Sequence, residues 1–483
     1  MKIKFINTLI LFLSILISQN SYSQNTRGLY VDRFDLILGS QEDELKLFEY
    51  AIAFNFNSFT LYSFSKINLD NEINTVNLKS FISRAKTKYN IENIGIVSEN
   101  VNRLRDQIHK YNLDPGTSID EKIDIYNLEF EFWSEINTAN YYCEKYLAPV
   151  GLACNPEGAL VFVKNSLQQM NVMAQEIPGV EVEIYLGWID ENESQQIANL
   201  IDRALVAVYK KEEEDGTINL YNYLTQRNRL KWLSVNNNIN IVPIFATHDE
   251  NYTDNLLNWL ISGGSISDAW NNYYTSYLSD TEPWTDNINI EGYQWFKYST
   301  MPEIQLNGNL DAIVGPSEVF INESHFYSIS EIPETLIYMW SNFQGAQIIS
   351  SVDPGNIIEI KFDSIVSDTL SVYAIRNGSK TTLSKQAIKI TEKSSSVINS
   401  YDTQEIIISQ ANSFINLTFP DIISSSGIIR IFSLSGKQLY YFDNRRKNML
   451  YHEINLSGFN TGIYLISILY ENGLFQKRLY YNE

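Results

Sequence analysis

The stretch Ile123-Asp124-Ile125-Tyr126-Asn127-Leu128-Glu129-Phe130-Glu131-Phe132 alternates in the manner of a β-strand. Period-two geometry places Asn127, Glu129 and Glu131 on one face and Leu128, Phe130 and Phe132 on the other. Helix-like segments flank it, and three other strand-like runs precede it, so it belongs to a parallel series covered on both faces. A polar file in such a strand is costly unless it points into a closed barrel and reaches the open C-terminal mouth. Two carboxylates two residues apart on one face repel each other. That repulsion pushes one pKa upward, which is how a carboxyl is kept protonated as a general acid.

The pattern extends in both directions. Strand-like runs occur at Gly28–Phe34, Asn57–Phe64, Asn93–Ser98, Ile123–Phe132, Glu181–Gly187, Ala204–Tyr209, Ile239–Ala246 and Gly292–Tyr298. Helically spaced segments such as Glu42–Phe54 and Leu160–Ile177 lie between them. Eight such units over some 275 residues predict a (β/α)8 TIM barrel within residues 24–305. An open doubly wound sheet is the alternative, although it usually opens on a glycine-rich turn. Beyond Asn307 the runs shorten and turn signals such as Asp353-Pro354-Gly355 separate them, so residues 312–393 read as a small antiparallel β-sandwich. The Ser-rich stretch Lys393–Ser400 is a linker, and a second all-β domain occupies residues 401–483. The fold class is therefore multidomain, a barrel followed by two small sandwiches. At the other end, Lys2 and Lys4, the apolar run Phe5–Ser18 and Ser21-Tyr22-Ser23 have the order of a signal peptide over residues 1–23. No later segment reads as a membrane span.

A formal net charge of −21, with Arg445-Arg446-Lys447 the nearest approach to a basic cluster, makes nucleic acid and anionic lipid poor partners. The two cysteines, Cys143 and Cys154, would close one disulfide loop in an oxidising compartment. Four scattered histidines include no metal-binding spacing, and His248-Asp249-Glu250 reads as a polar loop. No phosphate loop, GxGxxG or GxSxG is found, so neither metal nor cofactor is expected. Aromatic residues make up 13% of the chain, which suits both β packing and stacking on sugars.

The octapeptide Asp124–Glu131 resembles the D-x-x-D-x-D-x-E signature of family-18 glycoside hydrolases, the chitinase and endo-β-N-acetylglucosaminidase group. Asp124, Asn127, Glu129 and Glu131 fall on its four positions, with Asn and Glu replacing the second and third Asp. The resemblance implies a substrate-assisted mechanism, an exception to the two-carboxylate scheme. Glu131 would protonate the leaving oxygen, Glu129 would hold the acetamide N–H, and Tyr209 would bond its carbonyl. Asp124 and Asn127 would support substrate binding. Gly292-Tyr293-Gln294-Trp295 resembles the family's eighth strand, with Trp295 as the floor of a sugar subsite, and Trp188 lies where a barrel mouth would be.

Gly315-Pro316-Ser317, Tyr327-Ser328-Ile329 and Tyr338-Met339-Trp340-Ser341 resemble the PKD-like and Ig-like spacer modules of bacterial surface proteins, with Trp340 in the core. Ile429–Lys437, Ile454–Ile466 and Gln476–Leu479 resemble the type IX secretion sorting domain, although its Tyr-Pro-Asn-Pro opening is missing near Ser409–Phe414. That implies the type IX machinery as a partner, passage through the periplasm, and release or surface attachment. Three functions fit: a hydrolase of N-acetylglucosamine-containing glycans, a glycan-binding protein without turnover, or an adhesion protein with no site.

Overall fold

The computed structural model describes residues 26–208, 223–235, 239–247, 256–341, 345–352, 354–365, 368–392, 407–411, 414–418, 427–433, 437–443, 451–470 and 473–481. The signal peptide, Tyr209, His248-Asp249-Glu250, the Ser-rich linker and Arg445-Arg446-Lys447 lie outside these residues. The chain divides into two compact units, one ending at Glu303 and one beginning at Ile304.

The first unit is a closed parallel barrel. Its strands are β1 (Thr26–Val31), β2 (Ser58–Leu61), β3 (Asn93–Ser98), β4 (Ile125–Leu128), β5 (Glu181–Leu186), β6 (Arg203–Ala207), β7 (Ile239–Ala246) and β8 (Gly292–Phe296). Each pairs in parallel with the next, and β8 pairs with β1, which rules out the open sheet. A short extra strand, Ile288–Ile290, runs beside β7. Followed round the barrel, the register returns to β1 eight residues from where it began, the shear of a TIM barrel. One device recurs at the N-terminal rim. The residue leading into an even strand accepts a hydrogen bond from the first backbone N–H groups of the odd strand before it. Asn57 does so from Arg27 (2.7 Å), Asp124 from Ile94 (2.8 Å) and Asp202 from Val182 (2.8 Å).

Helices α1 (Gln41–Ala53), α2 (Glu72–Lys88) and α3 (Pro156–Gln175) pack on the outside of the barrel. Ser40 caps α1, and Asn155 with Pro156 at the first turn starts α3. Apolar side chains at helical spacing, including Leu160, Val163, Leu167 and Met170 on α3, are buried against the strands. Phe48 of α1 stacks on Phe81 of α2 at 5.1 Å and on the outward-facing Phe59 of β2 at 6.4 Å.

Inside, register and shear sort the inward side chains into layers of four from alternate strands. Gly28, Gly95, Glu183 and Val242 form the middle layer. Thr60, Asn127, Leu205 and Gln294 lie above it, towards the strands' C-terminal ends, and Ser58, Ile125, Arg203 and Gly292 lie below. Tyr30, Val97, Tyr185 and Ile244 close the next level, and all four belong to one apolar cluster. Tyr62, Glu129, Ala207 and Phe296 follow at the mouth.

Several strand boundaries differ from expectation: β1 ends at Val31 rather than Phe34, β2 at Leu61 rather than Phe64 and β8 at Phe296 rather than Tyr298. β4 ends at Leu128 rather than Phe132, because Glu129 N–H makes the last rung to Ser98 O (3.1 Å) and the chain then turns through Phe132 N–H to Phe130 O (2.8 Å). β6 ends at Ala207, short of Tyr209.

The second unit contains two apolar cores. One joins Tyr327, Ile358, Ile360 and Phe362 of one sheet to Leu370, Val372, Ala374 and Ile388 of another, a two-sheet sandwich. It is mostly antiparallel, but Glu318–Phe320 pairs in parallel with Ser384–Thr391. The strand Gln305–Leu306 also joins this sandwich through Ser379–Lys380, so the unit begins well before residue 312. A Cβ at Gly315 would fall 2.2 Å from the Tyr327 ring, which explains the glycine there, and Trp340 Nε1 donates to Gly355 O (2.6 Å) at the core's edge. The other core gathers Ile415, Leu417, Ile429, Ile431, Ile454, Tyr464, Ile466 and Ile468, with the last three alternating along one strand. No described helix is long and apolar enough to cross a membrane.

Candidate active site

Of the motif's carboxylates, Glu129 and Glu131 lie at the barrel mouth, together with aromatic side chains that the motif does not contain. Glu129 points inward, where its Oε2 accepts a hydrogen bond from the Tyr30 hydroxyl of β1. Burial, reinforced by the negative charge of Glu131, pushes the Glu129 carboxyl up to about 8. Glu131 sits beyond the strand end, where Asn137 Nδ2 donates to its Oε2 (2.7 Å) and its backbone N–H reaches the Tyr142 hydroxyl (3.3 Å). Burial raises the Glu131 carboxyl as well; Asn137 opposes that shift and the charge of Glu99 adds to it.

Glu99 follows β3 and was not singled out from sequence. It accepts from Tyr141 (2.9 Å), Tyr146 (2.6 Å) and Lys145 (3.3 Å). Tyr62, Trp133, Tyr185 and Phe296 surround the Tyr30 ring or pack on its cluster, with ring centroids of 5.7 Å for Tyr30–Tyr62 and 5.0 Å for Tyr30–Phe296. The rule that residues just past a barrel strand form its site would have found Glu99 and Trp133. Tyr30 comes from a distant strand, so only closure of the barrel brings it to Glu129, with Tyr62 packed beside its ring.

Phe130 stacks on Tyr142 (3.9 Å) and packs on Phe162 of α3 (5.0 Å), so it faces the helices as period-two geometry predicts. The next segment carries the disulfide between Cys143 and Cys154, whose Cα atoms are 4.9 Å apart. Its tyrosines, Tyr141, Tyr142 and Tyr146, are those that touch Glu99 and Glu131.

Other candidate residues are placed differently. Asp124 lies at the opposite, N-terminal end of β4, where Lys86 Nζ (2.7 Å) and Ile94 N–H bind it, so it is a structural staple and not a substrate contact. Asn127 is fully buried two layers below Glu129, its Nδ2 donating to Glu183 Oε1 (2.6 Å). Arg203 Nε completes that chain at Glu183 Oε2 (2.5 Å), so Asn127 belongs to an internal ion-pair network. Trp295 faces outward. It is wholly buried between the barrel and the outer helices, 5.3 Å from Phe245, whose ring is 6.0 Å from Tyr273. The reason is register: Gln294 and Phe296, its neighbours in β8, take the inward positions beside Gly28 and Tyr30. Trp188, just past β5, is 53% exposed, with the Arg229 guanidinium 4.8 Å from its ring centroid. Tyr209 lies outside the described residues. Among these residues no cluster of His, Cys, Asp and Glu is arranged to hold a metal.

Residues 411–482 match the secretion system C-terminal sorting domain family. The chain is thus exported by the type IX route, to the cell surface or beyond it. No curated protein matches the chain. Among solved structures it is similar to an endo-β-1,4-mannanase from Thermotoga petrophila, at 8% identity over 77% of this chain and 99% of that one, with a TM-score of 0.33. It is also similar to a β-glucuronidase from Parabacteroides merdae, at 7% identity and a TM-score of 0.30 over 95% of this chain, and spans 62% of that enzyme's length. A DUF3244 family protein from Bacteroides vulgatus with an immunoglobulin-like β-sandwich matches 16% of the chain, and 84% of its own, at 16% identity and a TM-score of 0.15.

Proposed function

We propose that the barrel is an exported glycoside hydrolase that cleaves N-acetylglucosamine-containing glycans by a substrate-assisted mechanism. The observation that carries this is the pair Glu129 and Glu131 at the mouth, each with a raised pKa, beside an aromatic wall. The substrate acetamide oxygen attacks the anomeric carbon while Glu131, the member beyond the strand end, gives its proton to the leaving oxygen. Glu129, still protonated at neutral pH, accepts from Tyr30 and presents a polar edge to the acetamide without adding a second charge. Tyr62, Trp133 and Trp188 offer ring faces for sugar stacking. The test is incubation of the mature protein with chito-oligosaccharides and high-mannose glycans, read for reducing ends and for binding. Absence of cleavage and binding across that panel rejects the proposal.

A second reading has specific support. Asn127 is locked to Glu183 and Trp295 is turned away, so two groups assigned to holding the sugar do not reach the mouth. A glycan-binding protein without turnover fits that loss. Binding without product in the same assay selects it.

A further inference from the structure

The barrel's centre is unusually polar for a packed core. In the layer above the middle, Thr60, Asn127 and Gln294 are each no more than 1% exposed, and Thr60 Oγ1, Asn127 Oδ1 and both amide atoms of Gln294 find no hydrogen-bond partner among the described residues. In the layer below, Ser58 Oγ and Arg203 Nη2 are equally buried and equally unpaired. The layer between contains two glycines, Gly28 and Gly95, where most barrels carry branched side chains. The Gln294 side chain leans into the space at Gly28, where a Cβ would lie 2.8 Å from its Oε1, and Ile125 lies against Gly95, 3.4 Å from where a Cβ there would be. Tyr30, Val97, Tyr185 and Ile244 seal the level above.

Orphaned polar atoms in a core cost free energy unless something satisfies them. Six of them converging on a level with two missing side chains point to a ligand small enough to fit there. We propose that the centre of the barrel is a hydration site, holding ordered water bound by Thr60, Asn127 and Gln294 from above and by Ser58 and Arg203 from below. The chemistry of the atoms selects water over a cation. Asn127 Oδ1 and Gln294 Oε1 accept, whereas Arg203 Nη2 and Gln294 Nε2 only donate, and one species that both donates and accepts serves all of them. The level of Gly28 and Gly95, beside Gln294 and Ile125, is then where the water sits, and the Asn127–Glu183–Arg203 chain is the wall of the site. This inference is independent of what the mouth binds.

The experiment is a crystal structure of the mature protein at high resolution, paired with oxygen-17 relaxation dispersion in solution. Density for water within about 3 Å of Asn127 Oδ1, Arg203 Nη2 and Gln294 is the expected result, with long-lived water counted in solution. The near-isosteric Thr60→Val and Gln294→Met variants, each shown to fold by circular dichroism, should lose at least one long-lived water. Three findings would overturn the proposal: side chains repacked onto each other across a dry centre, an ion whose anomalous signal appears on rubidium exchange, or an unchanged water count in both variants.

Discussion

Glu129 shows how a single side chain can carry both a functional assignment and a stability cost. Its carboxyl is held near 8, against 4.5 when unperturbed, so the folded protein keeps a proton that the unfolded chain releases. The stabilisation from that retained proton is complete below about pH 4.5 and is lost as pH rises through 8. Glu129→Gln should remove this dependence, leaving the variant more stable than the wild type above pH 8 by on the order of a few kcal/mol. Denaturant unfolding at pH 4, 6 and 9 measures it, and parallel profiles for the two proteins would contradict the assignment. The companion test concerns Glu131. If it is the acid, Glu131→Gln should lower turnover roughly 10²–10⁴-fold while affinity for the same glycan is kept. Equal turnover in the two proteins would remove Glu131 from the mechanism. The motif made both carboxylates legible in advance. Their ranking was not, because the deeper burial of Glu129, which raises its carboxyl most, follows from barrel closure and not from its own strand.

At the level of elements, the loop after β4 builds the mouth. The disulfide closes it, and its tyrosines grip Glu99 and Glu131. Replacing both cysteines by serine should destabilise the barrel by about 2–3 kcal/mol, the usual cost of opening so short a loop, and weaken sugar binding with it. Thermal unfolding with and without reductant checks the first part, and an unchanged midpoint would show that the bridge carries no stability. Gly187, at the end of β5, is a second control point. A Cβ there would lie 2.6 Å from the Trp133 ring, so Gly187→Ala should push Trp133 out of place. The near-ultraviolet dichroism of tryptophan and the affinity for glycans should change together. Alternation predicted the inward and outward faces of β4 correctly, yet it carried the strand four residues too far. Period-two patterning continues through a turn whose side chains still alternate, and only the hydrogen-bond ladder marks where pairing stops.

In the whole molecule, the barrel and the sorting domain have separate cores, so their roles should separate as well. Deleting residues 411–482 should leave the truncated protein in the periplasm with its barrel folded; fractionation and circular dichroism decide it, and undiminished export would show that the tail is dispensable. The class of each region was determined by the sequence alone, because hydrophobic periodicity is a local property that the chain carries wherever it folds. The same holds for the sorting tail, whose short strands repeat a recognisable spacing. Convergence was decided by the tertiary structure. Closing the barrel with a shear of eight residues assigns every inward side chain to a layer, and that assignment separates residues that look alike in the sequence. It sends Asp124 to the far rim, buries Asn127 in an ion-pair network, turns Trp295 to the helices, and brings Tyr30 to Glu129. The physical reason is that a strand's sequence specifies which residues share a face, whereas register against its neighbours specifies what that face meets.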